Sequence, residues 1–156
     1  MREEALARIH DADILSQSPD RASDSDAVIR ILGFEILMKA AIRHSTGKVA
    51  TGHKYWALWS QLPKTARDQI LARAKTEMPG HTDFTDLENL FKSWRYVFEK
   101  ARYYYELLDG YSLEESEELG TLWVELGSPT EEAMVQYHPT ELVSIIAGLD
   151  DYLSGN

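Results

Sequence analysis

The sequence predicts an all-helical fold, an up-and-down bundle within a single domain of 156 residues. Apolar residues recur three and four positions apart over long stretches, which is typical of helices with one buried face. Pro and Gly residues interrupt these stretches and mark the ends of the segments. No stretch alternates apolar and polar residues between hairpin turns, so strand signals are absent. Hydrophobic residues make up 44% of the chain and charged residues 27%, which favours a globular core over disorder.

The segments between the Pro and Gly positions are predicted as helices. They span residues 3–15, about 23–44, 53–62, a stretch after residue 63, about 83–108, and a stretch from residue 139 onward. We expect the first helix to be loosely held. Residues 25–110 form the predicted bundle, and residues 111–156 form an acidic helical extension. Capping boxes are predicted at residues 112–115 and 128–131.

Apolar residues surround nearly the whole circumference of the second predicted helix. This pattern indicates a central helix, covered by others on most sides, rather than a surface helix. Its polar exceptions are Glu35, Lys39 and Arg43, which lie four residues apart on one stripe. These three side chains are therefore candidates for contacts with charged groups on a neighbouring helix.

The helix predicted at residues 83–108 carries an apolar seam and, behind it, a charged stripe. The seam consists of Leu87, Phe91, Trp94, Phe98, Ala101, Tyr105 and Leu108. Arg95, Glu99, Arg102 and Glu106 form the stripe, which reads either as a solvated face or as a half-buried set of ion pairs. In the second interpretation Arg95 is a partly buried hub that is joined to Glu99, and to Glu35 or Lys39 through His53 or water.

The charge of the chain is distributed unevenly. The net charge is -10, all 16 Lys and Arg residues lie between Arg2 and Arg102, and residues 103–156 hold 12 acids without one basic residue. Binding to a nucleic-acid backbone requires clustered Lys and Arg, so the C-terminal third is excluded as a nucleic-acid surface. We expect this third to fold onto the bundle or to dock a basic partner.

Motifs for cofactors, metals and membranes are absent. The sequence has no glycine-rich phosphate loop, no GxSxG elbow and no HExxH pair, and its five histidines are scattered. Its lack of cysteine excludes disulfides and thiol catalysis. Its longest nearly apolar run, residues 36–42, contains Lys39 and is too short to cross a bilayer. The first residues are acidic, unlike a signal peptide. We therefore expect a cytoplasmic protein without a cofactor, a metal site or a membrane span.

His53 is a candidate for acid–base chemistry because of its position in the sequence. His53 follows Gly52 at the predicted start of a short helix. Two interpretations remain open: the imidazole fixes the preceding loop through a hydrogen bond, or it acts as a general acid or base beside Arg95.

Three segments taken together resemble the HEPN family of small helical-bundle proteins. They are Glu35–Ala41, Gly52–Tyr55 with the leucines that follow, and Trp94–Glu99, so that the resemblance covers roughly residues 25–110. The resemblance implies a helical bundle. It also implies the settings in which HEPN proteins occur: homodimers, pairs with a nucleotidyltransferase or another protein, and toxin–antitoxin or phage-defence systems.

The ribonuclease motif of that family is incomplete in this sequence. Ribonuclease members of the family carry an Arg followed after four to six residues by a His, and the two act on RNA without a metal. Arg95 matches the Arg, but Lys100, Ala101 and Arg102 occupy the positions where the His is expected. The resemblance therefore does not by itself carry ribonuclease activity over to this chain.

Three functional hypotheses follow. The leading one is a non-catalytic or catalytically divergent interaction module that works as a homodimer or within a two-component system, and the four Trp and eight Tyr residues motivate an aromatic dimer interface. The first alternative is a metal-independent ribonuclease in which His53 acts with Arg95 and Glu99. The second is a nucleotide-binding regulator that holds a ligand phosphate with Lys39, Arg43 and Arg95. The predicted binding residues are Glu35, Lys39, Arg43, Tyr96 and Arg102.

Overall fold

The protein is described by a computed structural model that covers residues 1–18, 25–100, 111–127 and 136–155. These ranges are helical and contain no strand, which confirms the predicted all-helical class. The helices are α1 (Arg2–Ser16), α2 (Ser25–Thr46), α3 (Tyr55–Trp59), α4 (Lys64–Glu77), α5 (Leu87–Lys100), α6 (Leu113–Glu125) and α7 (Pro139–Ser154). None of them combines the length and the apolar character needed to cross a bilayer.

Helix α2 is the centre of the bundle, as its all-round apolar pattern predicts. Helices α1, α3, α5 and α7 all pack against it. Ile31, Phe34, Leu37 and Met38 are completely buried. Burying side chains on every side of one helix removes a large apolar area from water, and this burial is the main stabilising contribution to such a core.

Helix α1 is packed tightly on α2, so the prediction of a loosely held first helix is wrong. Ala5 and Ala12 are fully buried. A side-chain carbon at Gly33 of α2 would lie only 2.7 Å from Cγ1 of Ile9 and 3.1 Å from the Ala5 carbonyl oxygen. The two helices approach so closely because small residues meet at their contact.

Helix α7 belongs to the same core. Leu142, Ile145 and Leu149 are fully buried, and Gly148 lies directly against the backbone of Ile70 in α4. The predicted boundary near residue 110 therefore does not coincide with the edge of the core. The expectation that the acidic third folds onto the bundle is met by α7, whose acids lie outside its apolar face.

The apolar seam of α5 is confirmed as far as the described residues extend. Phe91 and Trp94 are buried against Phe34 of α2, with ring centroids 6.0 and 5.2 Å from it. The indole N–H of Trp94 donates a hydrogen bond to the carbonyl oxygen of Tyr137, 2.8 Å away, which ties α5 to the segment before α7. The predicted continuation of this helix over residues 101–108 lies outside the described residues.

Helix α6 begins with the predicted capping box. The Ser112 hydroxyl accepts a hydrogen bond from the Glu115 backbone N–H, and the Glu115 side chain accepts one from the Ser112 backbone N–H. Leu119, Leu122 and Leu126 are exposed on this helix. The second predicted capping box, at residues 128–131, lies outside the described residues.

Candidate functional site

A cleft of about 330 Å³ opens between the loop before α3, α3 itself and α5. His53 and Lys54 come from the loop, Gln61 follows α3, and Arg95 and Glu99 come from α5. This volume is at the small end of ligand sites, which run from about 300 to 1,000 Å³. The cleft has room for a small polar group with its immediate neighbours, not for a large cofactor.

The local sequence places the imidazole at this position. Gly52 adopts a positive φ of 86°, which turns the chain sharply before His53. Helix α3 starts two residues later, and its buried residues Tyr55 and Leu58 anchor the loop to the core. The loop is thus held at both the turn and the helix, and His53 is displayed between them.

His53 is bound to a buried carboxylate. Its Nδ1 lies 2.7 Å from Oε2 of Glu35, and the other oxygen, Oε1, accepts a hydrogen bond from Nζ of Lys39 at 2.7 Å. Only 4% of the Glu35 side chain is exposed, so the carboxylate has to be compensated by these two groups. A carboxylate can only accept hydrogen bonds, so the proton of the neutral imidazole lies on Nδ1.

The other nitrogen of His53 is available to a ligand. Nε2 makes no hydrogen bond to any residue in the described ranges, and 53% of the His53 side chain is exposed. Phe98 of α5 lies against the imidazole, with ring centroids 5.4 Å apart and planes tilted by 31°. Glu35 and Phe98 therefore fix the orientation of the ring, and the Nε2 lone pair is left as an acceptor.

Arg95 and Glu99 form an ion pair at the cleft wall. Nε of Arg95 lies 2.7 Å from Oε1 of Glu99, with the two side chains 38% and 39% exposed. Among the described residues Arg95 has no ion pair with the charges of α2. The predicted pair of Arg95 with Glu99 is present, while the buried charge that joins two elements is Glu35 and not Arg95.

The remaining predicted residues are divided between the cleft and its surroundings. Lys39 lies behind His53, through the shared Glu35, and does not line the cleft. Arg43 and Tyr96 are exposed and outside the lining residues. Arg102 lies outside the described residues. The binding set predicted from the sequence is thus only partly brought together.

Lys54 was missed in the sequence analysis. Lys54 follows His53 directly, is exposed, lines the cleft and forms no ion pair within the described ranges. The sequence Gly52-His53-Lys54 could have indicated this residue, because it places a cation directly after the candidate base. Together with Arg95, Lys54 gives the cleft two positive groups next to an imidazole acceptor.

No group of three or more metal-ligating side chains is found in the part of the chain that the structure describes. Comparison of this chain with protein-family models, with curated proteins and with solved structures finds no match. The chemistry of the cleft is therefore what points to a function.

Proposed function

We propose that the cleft binds a phosphodiester group of RNA and that His53 is the general base for its cleavage. The observation that carries the proposal is the Glu35–His53 contact, which leaves Nε2 as a proton acceptor in the same cleft as Arg95. This favours the ribonuclease alternative over the non-catalytic module. The imidazole that the family motif lacks after Arg95 would come instead from the loop before α3.

The positive groups of the cleft suit a phosphate. A guanidinium presents donors in a planar fork that matches phosphate oxygens, so Arg95 is assigned to the non-bridging oxygens. Lys54 is assigned to the same phosphate as a point charge. Lys54 and Arg95 are enough to compensate the charge of one phosphate. The net charge of -10 does not oppose this binding, because 12 of the 26 acids follow residue 102 and belong to another part of the sequence.

The reaction needs only acid–base chemistry. Nε2 of His53 takes the proton of the ribose 2′-hydroxyl, and the 2′-oxygen forms a bond to the adjacent phosphorus. The bond between phosphorus and the 5′-oxygen breaks, and that oxygen takes a proton from water in the open cleft. The products are a 2′,3′-cyclic phosphate and a 5′-hydroxyl, and the imidazolium returns its proton to water. DNA has no 2′-hydroxyl and is not a substrate.

The test is cleavage of a single-stranded RNA oligonucleotide, with products identified by mass spectrometry. We expect cyclic-phosphate ends from the native protein, and loss of cleavage in His53→Ala and Arg95→Ala. The matched control is His81→Ala, which changes an exposed histidine outside the cleft lining. Cleavage that persists in His53→Ala, or a native protein that neither binds nor cleaves RNA, overturns the proposal.

Arg95→Ala also distinguishes a role of Arg95 in cleavage from a role in stabilising the fold. An exposed ion pair contributes at most about 1 kcal/mol, so the melting temperature should change little while cleavage is lost. The nucleotide-regulator alternative has less support, because Lys39 is engaged by Glu35 and Arg43 lies outside the cleft lining.

A second candidate function, the homodimeric interaction module, has one observation in its favour. Leu119, Leu122 and Leu126 leave an exposed apolar stripe on α6, and such stripes favour association. The aromatic residues give the homodimer less support, since Trp59 and Trp94 are buried in the core and do not reach a dimer interface. Sedimentation is the test, and a monomer at micromolar concentration and above contradicts this candidate. The toxin–antitoxin or defence setting stays an expectation from the HEPN resemblance.

A further inference from the structure

The cleft contains one carboxylate of its own. Glu99 lines it and accepts a hydrogen bond from Nε of Arg95, 2.7 Å away. In contrast to Glu35, which is buried and shared by two partners, Glu99 is 39% exposed and can face a ligand. A negative group thus stands next to the guanidinium that is assigned to the phosphate.

The guanidinium keeps donors for a ligand while Glu99 holds it. Glu99 engages Nε, and the two terminal amino groups of Arg95 make no hydrogen bond to any residue within the described ranges. An Arg side chain has five N–H donors in a fork, so one edge can bind Glu99 and another a phosphate. A phosphate bound there lies within a few ångströms of the Glu99 carboxylate.

The charges of the lining add up to a small positive value. Lys54 and Arg95 each contribute one positive charge and Glu99 contributes one negative charge. The form of His53 that acts as a general base is by definition uncharged and adds nothing to this sum. Behind the lining, Glu35 and Lys39 neutralise each other. The cleft therefore compensates about one negative charge on a ligand, and a second one meets repulsion from Glu99.

We infer that Glu99 makes the cleft selective for a singly charged phosphodiester over a doubly charged phosphomonoester. The inference rests on the proposed function and narrows its ligand class. An internal phosphodiester of an RNA strand is accepted, and a terminal phosphate of that strand is disfavoured. Glu99 acts here through Arg95 and through its own charge, and it takes no proton in the reaction.

The experiment compares two small ligands that share a base and a ribose. Cytidine 2′,3′-cyclic monophosphate carries one negative charge. Cytidine 3′-monophosphate carries close to two negative charges at pH 8, because its second phosphate proton dissociates at about pH 6. Binding to the full chain is followed by calorimetry and by the ring-proton signals of His53. We expect the native protein to prefer the cyclic diester.

Glu99→Gln removes the charge and keeps an acceptor for Arg95. We expect it to strengthen binding of the monoester about tenfold more than binding of the diester, since Glu99 repels a doubly charged group about twice as strongly as a singly charged one. Glu88→Gln is the matched control, because Glu88 pairs with Lys92 four residues later on the same helix without lining the cleft. It should leave both affinities unchanged. Circular dichroism checks folding, and Glu99→Ala provides a second variant with the same expected direction.

The outcomes separate the two proposals. RNA cleavage together with an unchanged preference in Glu99→Gln and Glu99→Ala overturns the charge selection and leaves the proposed function standing. If neither ligand binds the native protein or shifts the His53 signals, the proposed function fails and the inference fails with it.

Discussion

Nδ1 of His53 lies 2.7 Å from Oε2 of Glu35, and this contact joins the loop before α3 to the middle of α2. The carboxylate is the most buried charge of the cleft region and uses both oxygens, one for His53 and one for Lys39. The pairing fixes the imidazole tautomer, and it also makes the loop position depend on a charge inside the bundle. Two predictions follow from this geometry.

The first concerns stability. Glu35→Ala leaves Lys39, whose side chain is only 18% exposed, without its carboxylate. Removing one member of a buried ion pair costs about 3–5 kcal/mol, and we expect a loss near the lower end because Lys39 retains some access to water. Urea unfolding measures the difference. The control is Asp68→Ala, which breaks a Lys–acid pair of the same spacing with 79% and 58% exposed side chains and should cost below about 1 kcal/mol. Equal losses in the two variants contradict the prediction.

The second concerns the tautomer of His53. In the native protein the ring proton should lie on Nδ1, because the Glu35 carboxylate can only accept. Glu35→Gln has one acceptor oxygen for two donors, Lys39 and His53, so the constraint weakens and the tautomer with the proton on Nε2 should gain population. The nitrogen chemical shifts of His53 measure this without any activity assay. His44, which lies against Tyr152 at the far end of α2, should not change. A native His53 already protonated on Nε2 contradicts the assignment.

The helical architecture could be predicted from the sequence, because burying one face of a helix places apolar residues three and four positions apart. The all-round apolar pattern predicted a central α2, and Pro139 predicted the start of α7. Packing of α7 on the bundle was expected, but its acids led to the prediction of a separate extension, because charge describes only the outer face of a helix. The close contact of Gly148 with Ile70 has no signature in one sequence, since the partner is 78 residues away.

The candidate site was only partly predictable. His53, Arg95 and Glu99 could be proposed as neighbours, and they do line one cleft. The Arg95–Glu99 pair was predicted from its spacing, whereas the His53–Glu35 contact was only one of several links that the sequence left open between Arg95 and the central helix. Glu35 and Arg95 lie on different helices, and the orientation of those two helices about their axes is set by tertiary packing that residue spacing does not encode.

The contact between α4 and α7 gives a third prediction. A side-chain carbon at Gly148 would collide with the carbonyl oxygen of Ile70, and backbone atoms yield less readily than the end of a flexible side chain. Gly148→Ala should therefore destabilise the protein by about 1–3 kcal/mol, the usual cost of overpacking. Gly120→Ala in α6 is the control, because nothing lies within 4 Å of its added carbon. That change should be neutral or stabilise α6 by up to about 1 kcal/mol, since Ala is the better helix former. Thermal unfolding that ranks the two variants in the opposite order contradicts the packing of α7 on α4.

The last prediction is the pH dependence of α6. The Glu115 carboxylate accepts a hydrogen bond from the Ser112 backbone N–H at 2.7 Å, and this bond, with the Ser112 hydroxyl contact, lowers the pKa of Glu115. Because the folded pKa is the lower one, the contact stabilises the helix fully above the unfolded pKa of about 4.3 and is lost as the pH falls through the folded pKa. We expect amide protection in α6 to decrease over that acidic range. Glu115→Gln keeps an acceptor for Ser112 but cannot titrate, so its protection should depend less on pH. The other acids of α6 are the same in both proteins, and identical pH profiles for the two therefore rule out the capping box as the cause.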